Sequence, residues 1–563
     1  MRRRLEIASL YVWLALNLAV MLLSAQTAYR KSLNNEEYAY ACDSFGYLRM
    51  AQEIRASFSQ RKLPDFRLES NQTRLLIELM KSRNVPLQKW EEAVAPHAHH
   101  YFPASDHVGP QYPPGTGLAL ALFPQGKALY RVNQVTIFTI LLVGLGALVV
   151  AAWKKAWISV ALVTLGIYLV FNILARIGSL SFSINAALAP LLLTCVLVVI
   201  ASSIQTTRYR LAWSCSFAAG LLLGFCTLIR LPAIFLAPAF VVFLWPNKWR
   251  LRLNSLPVIF CLAIFVVGVL PILINQQRVA GAWYLTTYAS NDASTPALAR
   301  VPDNLPYFFG FDGPAAEDNW ALIVALVGFA GFVLLRPRVD NQPQKTQVVW
   351  KRVALAAFIA WSFSAVFFLT HAVATPYYMV PAIVVAVALI GFGALTIEAS
   401  ERGASTLRSE PPIVAALLLI AFLVPVVATV RGAVITRSRT KAPPAPLAHP
   451  RIVLPPELAD EKAWIWADLL TGSLWYYARK PAFKIQFTDA ATRELLFKFV
   501  FDRGEQQYLV QDSERMQTYM DEIVKLGGTL EQRGQVDGQS YFLVHWPQTG
   551  PAISKPQQSI AIN

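Results

Sequence analysis

The sequence predicts a polytopic α-helical membrane protein carrying a small α/β domain at its C-terminal end. Three observations predict it. No Asp or Glu occurs between Asp106 and Asp292, and the stretches between Asp340 and Glu398 and between Glu410 and Glu457 are equally free of carboxylates. An ionised carboxylate is costly within a bilayer, so such stretches suit lipid. Several apolar runs reach the roughly 20 residues that cross a bilayer as a helix, and they are too long for barrel strands. Beyond residue 456 the composition turns soluble.

The elements follow in order. Arg2, Arg3 and Arg4 precede a first span at about 5–25, read as a retained anchor with a cytoplasmic N-terminus. Residues 27–112 form a polar segment too long for a connector, hence a structured external loop. Residues 113–124 are apolar but short, and read as a half-helix dipping into the outer interface. Further spans are predicted at 130–152, 157–174, 184–204, 211–228, 231–246, 255–274, 319–335, 353–370, 376–396 and 411–430, about eleven in all. Predicted inner connectors are rich in Lys and Arg, whereas the short outer loops carry only Arg176, Arg230, Arg278 and Arg300. That asymmetry sets the topology and puts the C-terminus outside the cytoplasmic membrane. The predicted domains are a membrane domain 1–435 including the external loop, a Pro-rich basic linker 436–456, and an external α/β domain 457–563.

The net charge of +16 sits largely in short connectors and does not point to nucleic acid. Four of the five cysteines, Cys195, Cys215, Cys226 and Cys261, fall in predicted spans, so no external disulfide pair is available. The fifth is Cys42.

Two motifs stand out. Asp43 opens a segment in which Tyr47, Leu48, Ala51, Ile54 and Phe58 share one face at helical spacing, as in a helix lying flat on the bilayer. Asp43 is a candidate helix N-cap and a candidate catalytic carboxylate; the two roles are compatible. Tyr112-Pro113-Pro114-Gly115 leads into the short apolar segment, where proline can start a helix and the first-turn N–H groups can hold a phosphate. The bland alternative is a turn with no ligand. His97, His99, His100 and His107 crowd around Asp106. They are candidate ligands for a divalent metal, against the alternative of solvated loop histidines. Asp106 is also a candidate second carboxylate, because the Tyr-Pro-Pro segment returns it toward the membrane.

The two motifs together resemble the GT-C glycosyltransferases, in particular the bacterial branch related to protein O-mannosyltransferases and to the lipid A aminoarabinose transferase. Asp43, Tyr47 and Ala51 match one family motif; Tyr112, Pro113, Pro114 and Gly115 match the other. Weaker matches are the glycine-rich Ala219–Gly224 with Arg230, the exit Pro271, Asn275 and Gly281, and Tyr377-Tyr378 with Pro381. At the last of these, Thr375-Pro376 stand where an arginine is expected. The resemblance implies a polyprenyl-phosphate-linked sugar donor, a lipid, glycan or protein acceptor, and inverting transfer with Asp43 as general base. It needs positive charge or a metal at the phosphate. Arg131, Arg176, Arg230 and Arg300 are candidates for that task, against ordinary snorkelling. Two rival classes remain: a lipid-linked sugar flippase or transporter, and an envelope assembly factor without catalysis. Acid-free spans count against a carboxylate-driven transporter. A diphosphate-linked donor is a further variant.

Overall fold

The computed structural model describes residues 2–32, 37–39, 41–153, 157–177, 182–205, 207–245, 251–288, 297–310, 343–372, 375, 377–401 and 452–551. The predicted spans 319–335 and 411–430, and most of the predicted linker, lie outside the described residues. The chain divides into two compact units. One comprises residues 1–36, 123–272 and 294–444; the other comprises 37–122, 273–293 and 445–563. The sequence boundaries separate the loop 27–112 from the end domain; in the structure residues 37–112 and the end domain fall in the second unit.

Among the described residues the regular elements of the first unit are all helical. Its long helices include Arg2–Ser32, Ala128–Trp153, Trp157–Ile177, Phe182–Ile204, Tyr209–Ile229, Pro343–Thr370 and Val380–Glu401. Among the described residues of the chain, six helices are long and apolar enough to cross a membrane, and three shorter apolar helices accompany them. The span expected at 231–246 is broken instead into a 3-10 turn, Leu231–Leu236, and a short helix, Ala237–Leu244. Pro232 and Pro238 explain the break, since each lacks an N–H for the ladder.

Glycine sets the closest helix approach. Helix Tyr209–Ile229 packs on the segment Leu251–Val269, which contains a π-turn at Phe265–Val269. A Cβ on Gly268 would lie 2.6 Å from the Gly224 carbonyl oxygen, and one on Gly220 would lie 2.4 Å from that of Phe260. Small residues admit such backbone contact, and polar side chains tie it down. Ser216 Oγ donates to Leu256 O at 2.8 Å, and Thr136 Oγ1 donates to Asn185 O at 2.9 Å.

The second unit contains helix Ala41–Gln60, helix Asn71–Ser82, a hairpin of β1 (His99–Phe102) and β2 (His107–Pro110), and the short helix Gly115–Ala121. It also holds a four-stranded sheet of β3 (Trp464–Trp466), β4 (Gln507–Val510), β5 (Thr529–Val536) and β6 (Gln539–His545), in the order β3-β4-β6-β5. β3 and β4 run parallel; the other pairs are antiparallel. Helices Thr471–Ala478 and Ala490–Asp502 lie between β3 and β4 in the chain, as a parallel connection requires. Leu470, Leu474, Tyr508, Val510 and Tyr541 form part of the buried core on this sheet.

The glycine contact yields a test. Gly268→Val should lower the yield of monodisperse protein severalfold, because overpacking costs about 1–3 kcal/mol and here the obstacle is backbone. Gly146→Ala, with nothing within 4 Å of the added Cβ, should leave yield unchanged. Size-exclusion profiles of both variants check this, and equal yields would exclude the close-contact account.

Candidate functional site

Asp43 lies in the first turn of helix Ala41–Gln60 and not ahead of it, so it is not the N-cap. Its Oδ1 accepts a 2.7 Å hydrogen bond from the Tyr112 hydroxyl. The Tyr47 and Tyr112 rings lie 4.9 Å apart, and Tyr288 meets Tyr112 edge-on at 6.3 Å. The two sequence motifs, far apart in the chain, therefore meet at one carboxylate.

Three local features make the meeting possible. Gly46 leaves room, since a Cβ there would stand 2.6 Å from Ala98 Cβ and 3.2 Å from the Tyr112 ring. Gly117 does the same for the short helix, where an added Cβ would lie 2.7 Å from Met50 Cβ. Arg55 Nη2 then donates to Leu120 O at 2.7 Å, satisfying a carbonyl at that helix's end. Tyr47, Leu48, Ala51 and Ile54 are buried in protein, whereas Phe58 is exposed. The expected lipid-facing stripe is thus an internal packing face. The helix after Pro114 is seven residues long, with Gly115, Thr116 and Gly117 buried. The Tyr112-Pro113-Pro114 segment places the Tyr112 hydroxyl on Asp43.

Asp106 is elsewhere. It occupies the turn of the β1–β2 hairpin with φ of 56°, while Gln111 pairs with Ala98 at the hairpin's open end. Strand residues advance roughly 3.3 Å each, so the hairpin separates Asp106 from Tyr112 by about its own length. Lys81 Nζ at 2.6 Å, Tyr101 Oη at 2.7 Å and Arg74 Nη1 at 3.2 Å all bond its carboxylate. The Lys81 and Tyr101 bonds, with Arg74 beside them, hold its pKa well below the carboxylate range. It anchors the turn of the hairpin, at the end away from Tyr112 and Asp43.

The expected metal cluster does not assemble. Among the described residues no three His, Cys, Asp or Glu side chains converge on one point. His97 Nε2 lies 3.3 Å from Asp468 Oδ1, His99 Nδ1 lies 3.2 Å from His97 O, and His100 Nε2 lies 2.9 Å from Thr287 O. His107 Nδ1 faces Glu69 Oε1 at 2.6 Å. The first three are buried, not solvated, and each spends its ring nitrogen on a structural bond.

The arginine candidates divide. In the first unit, the Arg230 guanidinium stands 5.0 Å from the Tyr378 ring and 5.7 Å from the Tyr377 ring, and bonds Ser183 Oγ at 3.0 Å. A small cavity of about 10 Å³, lined by Arg230, Ser364, Phe368 and Tyr378 among others, adjoins them. That is room for about one water. Arg300 Nη1 reaches Thr370 O at 3.4 Å. Arg131 bonds Gln134 at 2.8 Å and stands 5.8 Å from the Tyr130 ring. Arg176 belongs to helix Trp157–Ile177, but its side chain lies outside the described residues, as does that of Cys42.

Sequence reasoning missed the clamp around the segment before Asp43. Ser473 Oγ donates to Ala39 O at 2.6 Å, Ala39 N donates to Tyr477 Oη at 3.1 Å, and Tyr38 stacks on Tyr477 at 5.9 Å. Tyr38 also bonds Asp537 in the β5–β6 turn. Nearby, Asp512 accepts the backbone N–H groups of Asp468 and Leu470, and Ser513 bonds Asp468 at 2.8 Å. Burial would raise Asp468, but the bonds from His97 and Ser513 pull it below its ordinary value.

Of the comparisons with known proteins, no family model matches the chain and no curated protein matches it significantly. Among solved structures it is similar to the crystal structure of ArnT from Cupriavidus metallidurans in the apo state, at 15% identity and a TM-score of 0.46, covering 95% of this chain and 98% of that one.

Burial depresses the pKa of His97, His99 and His100, His99 to about 3. A histidine kept neutral in the fold contributes stability above its unfolded pKa of about 6.5, and loses it as pH falls. Asp512 opposes this. Burial raises it to about 6, so the fold takes up its proton between that value and the unfolded one of about 4, and its contribution falls as pH rises through this window. Three depressed imidazoles outweigh one raised carboxyl. The melting temperature should therefore drop between about pH 7 and pH 5, and His99→Gln should flatten the slope. A melt that rises on acidification would contradict the balance.

Proposed function

We propose that the protein is a membrane glycosyltransferase that moves a sugar from a polyprenyl-phosphate carrier to an acceptor hydroxyl or amine at the outer face of the cytoplasmic membrane. Asp43 is its general base. The observation carrying this reading is the Tyr112–Asp43 hydrogen bond of 2.7 Å, which joins two motifs that the sequence marks independently. A carboxylate accepts on both oxygens, so the Tyr112 bond orients the base without exhausting its capacity for a proton.

In this reading the acceptor O–H gives its proton to Asp43 as its oxygen bonds to the anomeric carbon. The bond from that carbon to the carrier's phosphate breaks on the opposite side. The electron pair leaves with the phosphate oxygen, so the carrier departs as a phosphate monoester and the anomeric centre inverts. Tyr47 and Tyr288, against the Tyr112 ring, fix the phenol and offer aromatic surface beside the base. Transport or assembly without chemistry would leave the Asp43–Tyr112 pair without a task.

Asp43→Asn should lower release of polyprenyl phosphate from a polyprenyl-phosphate-linked sugar in native membranes by about 10²–10⁴-fold. The variant's elution profile should match the parent's. Tyr112→Phe should cost about tenfold, the equivalent of one orienting hydrogen bond. Undiminished turnover in Asp43→Asn would remove Asp43 as the base.

A further inference from the structure

A second pocket lies in the unit that carries Asp43, away from both Asp43 and Tyr112. Its volume is about 250 Å³, and Arg67, Arg278, Asp65, Asn275, Phe66 and Val279 are among its lining residues. Drug-sized ligands occupy roughly 300–1,000 Å³, so this space suits something smaller, about one sugar ring.

The pocket is built, not incidental. The segment beginning at Pro64 runs beside β2, with Leu68 N donating to Val108 O at 2.9 Å. On the other side, Ser105 Oγ donates to Val279 O at 2.6 Å. A Cβ on Gly109 would lie 2.7 Å from Val279 Cγ1, and one on Gly281, at φ +91°, would lie 2.8 Å from the Ala104 carbonyl carbon. Phe66, Phe102, Val279 and Ala280 pack as a small core behind the wall.

Its chemistry is specific in two respects. Two guanidinium groups, Arg67 and Arg278, face a single carboxylate, Asp65. Arg67 already bonds both Asp65 oxygens, with Nε at 2.9 Å and 3.0 Å. Arg278 is exposed and makes no hydrogen bond among the described residues, so the lining carries a surplus positive charge whose planar donor fork suits a carboxylate or phosphate. Asn275 is the second respect. The residue is only 9% exposed, and among the described residues its amide makes no hydrogen bond. A buried amide wants both a donor and an acceptor, and neighbouring sugar hydroxyls supply both.

We propose that this pocket binds a monosaccharide-sized anion, a pyranose carrying a carboxylate or phosphate, with Arg278 on the charge and Asn275 on the hydroxyls. The assignment is independent of the role given to Asp43.

The test is calorimetric titration of the full chain in detergent with glucuronate, glucose 6-phosphate, glucose and inorganic phosphate. At about 10 mM ligand, at least one anionic sugar should bind, and glucose at least tenfold more weakly. The tighter of the two anionic sugars identifies the charged group. Arg278→Gln should weaken that sugar by at least about tenfold. Asn275→Leu should weaken the sugar while leaving inorganic phosphate unchanged. The proposal is overturned if neither anionic sugar binds, if glucose or inorganic phosphate binds as tightly as they do, or if Arg278→Gln has no effect.

Discussion

The candidate site depends on one steric permission, the absence of a side chain at Gly46. Helix Ala41–Gln60 can approach the hairpin only because nothing projects there; a Cβ would stand 2.6 Å from Ala98 Cβ. Close approach brings the hairpin's open end to the helix's first turn. Tyr112 follows Gln111, which pairs with Ala98, so its ring falls beside Tyr47 and its hydroxyl reaches Asp43. Pro113 and Pro114 then stiffen the exit, because each fixes φ. Packing thus does the positioning, and the hydrogen bond is its consequence.

The same economy of contact recurs in the helical unit. Gly220, Gly224 and Gly268 let backbones touch where leucine would hold them apart. In lipid no hydrophobic drive separates helix from solvent, so close van der Waals approach and hydrogen bonds such as Ser216 to Leu256 O carry association. Carboxylates are kept out of these helices for the reason that makes long acid-free runs conspicuous in sequence. Asp43, Asp106 and Asp468 all belong to the other unit, where charges find partners.

Legibility followed the range of the signal. Hydropathy reports each helix by itself, and the helices at 128–153, 182–204 and 209–229 lie within a few residues of expectation. Pro232 and Pro238 should have warned that 231–246 was no continuous span. The motif residues Asp43 and Tyr112 were legible as separate signals, but their contact was not, because it depends on Gly46, which has no pattern. Likewise four clustered histidines read as ligands, yet three are buried on backbone carbonyls or a distant Asp468. Proximity in sequence said nothing about the direction of their rings. The end domain carries one sharp local signal: Asp537-Gly538, both at positive φ, is a two-residue hairpin turn, and it marks the β5–β6 pair.

The end domain acquires a physical task from these contacts. The chain enters the helix bearing Asp43 through residues 37–39, a segment without regular structure. Left alone, such a segment would let the helix start fray and the carboxylate wander. Helix Thr471–Ala478 prevents this at several points. Ser473 and Tyr477 hold Ala39 from both of its backbone polar groups, and Phe45 packs so tightly on Gly472 that a Cβ there would lie 2.5 Å from its ring. Thr471 accepts the backbone N–H of His97 at 3.2 Å, so the same helix also grips the hairpin that carries Tyr112. Both partners of the Asp43–Tyr112 pair are therefore referenced to one rigid element, and a pair whose two halves share a single support keeps its geometry when either loop moves.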